Sequence, residues 1–299
     1  MSKKILVIYY SQSGQLGDIL DHLTAPLTAA GHEVEKICVQ PTTPYPFPWK
    51  GKSFFAVMPD CVLELPTTLQ PFQLKQSKYD LVILGYQAWF LSPSLPFNGI
   101  LNTPEVMAVL KDTPVVTITG ARNMWISAME VIRRKLKEIG ARHTGNIALV
   151  DKHHNVISFI TIFHWMFKAK KDRYLNLFPK PGVSDEDIAN TSVYGSTLLA
   201  PLETNNWDGL QEKLVQQKAV VVKYNLMFIE SKAKRIFGIW AGLIVKRKKR
   251  TAWLVAFKYY LLIALFIAAP IILTVDAIFF KPFLSGRIKK QKQYFSGVN

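Results

Sequence analysis

Residues 5–10 read Ile-Leu-Val-Ile-Tyr-Tyr, an unbroken apolar and β-branched run that opens directly into Ser11-Gln-Ser-Gly-Gln-Leu16. A run without polar alternation is the pattern of a strand buried on both faces, as in a parallel sheet covered by helices on each side. A helical pattern follows, with Ile19, Leu20, Leu23 and Leu27 on one side and Gly31 as its stop. Strand, hydroxyl-rich turn and helix in immediate succession constrain the chain to the α/β class.

The unit recurs. Val34–Val39 reads as a second strand, Leu81–Leu84 as a third ending at Gly85, Val115–Thr119 as a fourth ending at Gly120, and Ile147–Val150 as a fifth. Ser127–Ile139 carries Met129, Ile132, Leu136 and Ile139 on one helical side, with Gly140 as its stop. Residues 41–50 hold four prolines and read as an extended connection. The expectation is a doubly wound five-stranded parallel sheet with right-handed crossovers over residues 1–218. An insertion interrupts it after the fifth strand, at about 151–206, before a last helix over 207–219.

Residues 219–299 form a different region. Of the net charge of +16, residues 207–299 supply +13, from 17 Lys and Arg against 4 Asp and Glu. Between the basic run Lys246–Arg250 and the cations Arg287, Lys289, Lys290 and Lys292, residues 251–280 carry only Lys258 and Asp276. About 20 apolar residues suffice to span a bilayer. Pro270 and positive charge on both flanks leave a kinked span, a re-entrant hairpin and a monotopic helix all open. The two cysteines, Cys38 and Cys61, have no metal-ligand spacing and fit a reducing cytoplasm, so no metal is expected.

Ligands of such sheets bind at the carboxyl ends of the strands. The first loop, Ser11-Gln12-Ser13-Gly14-Gln15-Leu16, offers hydroxyls and backbone N–H groups at a helix N-terminus and contains no lysine. That suits one phosphomonoester and excludes the triphosphate-binding loop that needs Gly-Lys-Ser/Thr. Two further loops suit a flat ring: Gln87-Ala88-Trp89-Phe90, and Gly120 through Arg122 and Asn123 to Trp125. Trp89 and Phe90 would face one side of the ring and Trp125 the other, with Gly120 for close approach. Asp151-Lys-His-His154 follows the fifth strand, so His153 or His154 is a candidate base. Arg122 would either stabilise an enolate oxygen or hold its own loop.

Tyr10-Ser-Gln-Ser-Gly-Gln15, Asp80-Leu-Val-Ile-Leu-Gly85 with Trp89, and the Thr119-Gly120 loop resemble the flavodoxin-like FMN proteins over roughly residues 3–150. That resemblance implies that the first loop grips the FMN phosphate and the other two embrace the isoalloxazine ring. Leu16 stands where many relatives carry threonine. Tyr45-Pro-Phe-Pro-Trp49, Phe54–Pro59 and the basic apolar tail resemble the bacterial dialkylresorcinol condensing enzymes, aromatases that act beside a ketosynthase. This second resemblance implies oxidation of a 2,5-dialkylcyclohexane-1,3-dione to a dialkylresorcinol, on the route to flexirubin-type aryl lipids. The partners then expected are that hydrophobic dione, membrane lipid, a ketosynthase and a second copy of the chain, at the cytoplasmic face of the inner membrane.

A membrane-associated FMN-dependent quinone reductase fits the composition equally. A lipid glycosyltransferase needs two nucleotide-fold domains, for which the residues left after the tail are too few. A nonenzymatic recruiting module leaves the three loops without a purpose. Nucleic acid is excluded as a partner, because the basic clusters flank apolar runs instead of lining a polar groove.

Overall fold

The computed structural model describes residues 1–298. β1 (Lys4–Tyr9), α1 (Gln15–Ala29) and β2 (Glu33–Cys38) form the opening unit. Two short helices, α2 (Gly51–Ala56) and α3 (Met58–Val62), precede β3 (Leu81–Tyr86). A hairpin of β4 (Ala88–Trp89) and β5 (Ser92–Pro93) leads into α4 (Leu95–Leu101) and α5 (Pro104–Leu110), and then β6 (Pro114–Ala121). α6 (Ile126–Ile139) crosses to β7 (Arg142–Val150). Four helices follow: α7 (Asn155–Lys168), α8 (Asp185–Ala189), α9 (Thr191–Thr204) and α10 (Leu210–Gln216). α11 (Tyr224–Val245) then precedes a continuous C-terminal helix, Arg250–Ser296.

β1 pairs with β2 and β3, β3 with β6, and β6 with β7, all parallel, giving the order β2-β1-β3-β6-β7. Counted along the chain this is 2-1-3-4-5, the flavodoxin-like doubly wound order, whose switch point lies between β1 and β3. Period-two geometry sends alternate residues of β1 to opposite faces. Ile5 and Val7 pack with Ile19, Leu20 and Leu23 of α1. Leu6 and Ile8 pack with Phe97, Met129 and Ile132. Each such side chain, fully buried, contributes roughly 1.5–3 kcal/mol. This double coverage is why the strands read as continuous apolar runs.

The insertion after the fifth strand is shorter than the sequence suggested. Leu198 and Leu202 of α9 and Leu210 and Leu214 of α10 lie in the same core layer as Ile5 and Val7. α9 packs so closely on α1 that a Cβ on Gly195 would clash with the Leu23 carbonyl oxygen. Thr191-Ser-Val-Tyr-Gly-Ser hides this helix in the sequence, because β-branched, hydroxyl and glycine residues are weak helix formers whose helicity here comes from packing.

The chain after residue 218 returns to the sheet. Ala148 N–H donates to the Ala219 carbonyl at 2.8 Å, and Val220, Val222, Tyr224 and Met227 belong to the layer that holds Leu6 and Ile8. Arg250–Ser296 is, among the described residues, the one helix long and apolar enough to cross a membrane, and 6% of its most apolar window is buried. It contains two π-helical turns, Ala264–Ala268 and Asp276–Phe280. The first immediately precedes Pro270, whose missing N–H breaks the regular ladder.

Candidate functional site

The carboxyl ends of β1, β3 and β6 open into a cavity of about 370 Å³. Its floor is made by the three loops. Gln12, Ser13, Gln15 and Leu16 come from the first, Gln87, Ala88, Trp89 and Phe90 from the second, and Gly120, Arg122 and Asn123 from the third. Gly14, at φ 88°, turns the chain from β1 into α1 in a conformation that side chains with a Cβ rarely adopt. Thr119 Oγ1 donates to the Tyr86 carbonyl at 2.7 Å and ties the ends of β3 and β6 together.

The walls are aromatic and come from segments whose role the sequence did not disclose. Trp49, in the proline-rich stretch, donates from Nε1 to Gln12 Oε1 at 3.0 Å, and Gln12 Nε2 in turn donates to the Pro46 carbonyl at 3.2 Å. Edge-on contacts hold Trp89 against Tyr10, Tyr45 and Trp49, at centroid distances of 6.1, 5.2 and 5.6 Å. Edge-to-face geometry of this kind fixes ring orientation. Phe54 packs on Phe90 at 4.9 Å. Phe159, Phe163 and Trp165 of α7 continue this wall, since the Trp49 backbone N–H donates to the Met166 carbonyl at 2.8 Å and Phe47 meets Trp165 at 6.5 Å. Phe237, Tyr260, Leu261, Ala264 and Leu265 also line the cavity. The proline spacing at 41–50 and the aromatic density at 159–167 were the available signals. They read as connector and insertion because nothing in one sequence says that two distant aromatic stretches meet.

Arg122 is the one charged side chain among the described residues lining the cavity. Its Nη1 donates to Asn155 Oδ1 at 2.9 Å and to the Asn155 carbonyl at 3.3 Å. Asn123 Nδ2 donates to the same Asn155 Oδ1 at 2.7 Å. Burial pulls the Arg122 pKa down to about 10, partly opposed by the Asp151 carboxylate, so the guanidinium stays cationic at neutral pH. Three buried polar atoms, one on each loop, have no partner: Ser11 Oγ, Gln87 Oε1 and Asn123 Oδ1. Buried polar atoms are normally satisfied; Gln87 and Asn123 line the cavity and Ser11 immediately precedes its lining residue Gln12, so a polar ligand there would complete the site. A hydroxyl at the phosphate-type loop and two amide oxygens at the ring-type loops fit a phosphorylated, flat heteroaromatic molecule.

Three expected site residues, His153, His154 and Trp125, lie outside the cavity, whereas Gly120, Gln15 and Leu16 line it and pack against the core as well. His153 and His154 are exposed and do not line the cavity. The buried Asp151 accepts from the His153 backbone N–H at 2.9 Å and from Ser158 Oγ at 2.7 Å, which fixes the turn into α7 and leaves both imidazoles outside. Trp125 is buried in the layer with Met129 and Ile132, because the chain turns under the sheet to start α6, so it offers no second face for a ring. Gly120 is a packing glycine, since a Cβ there would stand 2.7 Å from Ile19 Cδ1. Gln15 Oε1 is occupied by the Val183 N–H at 3.0 Å, and Leu16 belongs to the core beneath β1. His164 pairs through Nε2 with Asp172 at 2.8 Å on the outside of α7.

No family model matches the chain, and no curated protein matches it. Solved structures do. A flavoprotein in complex with FMN from Lactobacillus acidophilus is 16% identical, covering 49% of this chain and 93% of its own, with a TM-score of 0.41. A flavodoxin from the domain Archaea is 12% identical, covering 67% of this chain and 99% of its own, at 0.37. The oxidised flavodoxin 1 of Bacillus cereus is 16% identical, covering 67% and 97%, at 0.35.

Proposed function

We propose that the chain is an FMN-dependent oxidoreductase that works at a membrane surface. Its reaction is an aromatase step, the oxidation of a 2,5-dialkylcyclohexane-1,3-dione to a dialkylresorcinol. The observation that carries this reading is what meets in one cavity. The hydroxyl-rich loop at the start of α1, two amide-bearing loops with one cation, and the apolar C-terminal helix all line it.

Ser11, Ser13 and the backbone N–H groups after Gly14 would hold the FMN phosphate at the positive end of the α1 dipole. Gln87 and Asn123 would meet polar edges of the ring with their unpartnered oxygens, and Trp89 would pack on it. FMN would supply the hydride-accepting chemistry.

No histidine or carboxylate is present among the described lining residues, and the proposed substrate does not require one for its first ionisation. A cyclic 1,3-dione is acidic enough to be an enolate near neutral pH. The enolate then has to lose a hydride from C5 to the oxidant and a proton from C4 to water, which leaves the anion of the product's keto tautomer, and that enolises without an oxidant. The task left to the chain is to hold an anion in an apolar cavity. Arg122 does so with charge-assisted hydrogen bonds, and the Asn155 contacts aim it. The alkyl chains would extend toward Phe163, Leu261 and Leu265.

The absence of a base among the described lining residues also fits a second reading, quinone reduction, in which bound FMN would supply the hydride and no carbon acid has to be deprotonated. Visible absorption of the detergent-purified protein, followed by anaerobic addition of the dione, separates the two. Bleaching of the flavin band by the dione supports the aromatase, and bleaching by NAD(P)H alone supports the reductase. A colourless protein that takes up no added FMN defeats both.

A further inference from the structure

The helix Arg250–Ser296 has 47 residues. At 1.5 Å per residue it is about 70 Å long, more than twice the about 30 Å hydrocarbon core of a bilayer. One stripe of it is partly buried against the rest of the chain, with Phe257 and Asp276 its buried residues. Near its start, Phe257 is fully buried and packs on Phe237 at 5.2 Å. In the middle, Phe266 meets Phe159 at 5.1 Å, and Asp276 accepts from the Tyr224 hydroxyl at 3.2 Å. Past its end, Arg133 Nη2 donates to the Gly297 carbonyl at 2.8 Å. The π-helical turns at 264–268 and 276–280 each add a residue to the winding and keep this stripe facing inward beyond Pro270.

The opposite stripe is bare and apolar. Ile263, Ile267, Ile271, Ile278, Phe279 and Phe283 are 56–84% exposed. An apolar surface this continuous marks an interaction site. Cations stand at both ends, Lys246–Arg250 before it and Arg287, Lys289 and Lys290 after it. A transmembrane helix would put these two clusters on opposite sides of the bilayer and strip the inner stripe of its partners, burying Asp276 without Tyr224. A helix lying in the headgroup region keeps every contact and brings both clusters to one anionic surface, where each cation contributes about 1 kcal/mol.

We infer that residues 250–284 form a monotopic face, lying in the plane of one leaflet of an anionic bilayer, with the whole chain on that side. The inference rests on the membrane association proposed above and deepens it by fixing the topology. The cavity rim, at Phe159 and Phe266, then lies at the leaflet surface.

The test uses the full chain, with exposed Cys38→Ser, carrying one new thiol at a time: Lys248→Cys, Lys289→Cys or Ile267→Cys. Inside-out vesicles from expressing cells are treated with a membrane-impermeant maleimide. The expected result is labelling at 248 and at 289 to the same extent before detergent is added. On the isolated protein, an environment-sensitive dye at 267 should shift to the blue when vesicles of phosphatidylcholine with phosphatidylglycerol are added, and less with phosphatidylcholine alone. Labelling at 289 only after detergent would overturn the monotopic topology and leave membrane association standing. Chain that sheds from the membrane fraction, with no dye shift on anionic vesicles, would overturn membrane association itself.

Discussion

Lys234 of α11 donates from Nζ to Ser92 Oγ at 2.7 Å and reaches the Leu91 carbonyl at 3.4 Å. Between β4 and β5, Phe90 and Leu91 both have positive φ, 48° and 62°. Two-residue hairpins of that shape usually use Asn-Gly, since bulky side chains are strained there. A cation from the tail therefore braces a strained turn whose Phe90 faces the cavity. Lys234→Met should loosen the turn, lowering stability by about 1.5–3 kcal/mol, the range for hydrogen bonds to charged groups. Denaturant titration checks the loss. Ser92→Ala on top of Lys234→Met should cost much less than the sum of the two single substitutions; full additivity would show that the contact does no bracing.

Glu230, one turn earlier on α11, is buried and accepts from the Ser127 backbone N–H at 2.6 Å at the start of α6. Burial raises its pKa from 4.5 to about 7, against the opposing effects of the Ser127 and Ile126 bonds and of Lys234. A carboxylic acid with a raised folded pKa binds more protons folded than unfolded between those values. Its contribution to stability is thus greatest below about 4.5 and is lost as pH rises toward 7. A shift of this size corresponds to roughly 3 kcal/mol. Glu230→Gln keeps the acceptor and removes the titration. Thermal melts from pH 5 to pH 8 should slope downward for the natural chain relative to this variant. Parallel profiles would remove Glu230 from the account.

The sheet was legible because its strands are covered on both faces, so Ile5–Tyr10 and Leu81–Leu84 announce themselves without context. The floor of the cavity was legible for a related reason, since strand ends followed by Ser, Gly and aromatic residues have few other uses. The walls were not. Trp49 matters through a hydrogen bond to Gln12, 37 residues away, and Phe159 through its contact with Phe266. Pairings at such separation leave no local period. The histidine pair misled because position after the fifth strand places a backbone at the right edge and says nothing of where the imidazoles go. The tail's apolar run was plain, while its second role, lining the cavity, depends on which stripe faces inward.

His153 and His154 are exposed, on the far side of the turn that Asp151 fixes. Exposed substitutions away from special contacts usually change stability by less than about 0.5 kcal/mol. His153→Ala with His154→Ala should therefore leave the melting temperature and the rate of flavin bleaching unchanged. A large fall in rate at unchanged stability would restore a histidine to the reaction. Asp151→Asn should be more damaging to stability, since Asp151 is buried and accepts from Ser158.

Arg122 carries the most specific expectation. It is the only charge lining the cavity among the described residues, and its bonds to Asn155 point it without neutralising it. If its task is to hold a dione enolate, its loss should weaken dione binding and leave the cofactor in place. Arg122→Met keeps the length of the side chain and removes the cation. A charge-assisted bond is worth about 1.5–3 kcal/mol, so the dione concentration that half-saturates the bleaching rate should rise about 10- to 150-fold. Arg122→Lys should recover part of this loss, because a lysine supplies the charge without the planar pair of donors. The visible spectrum before dione is added is the control that separates the two roles for this residue. Lost flavin in both variants would mean that Arg122 holds the cofactor loop, through Asn155 and Asn123, and that the enolate is held elsewhere.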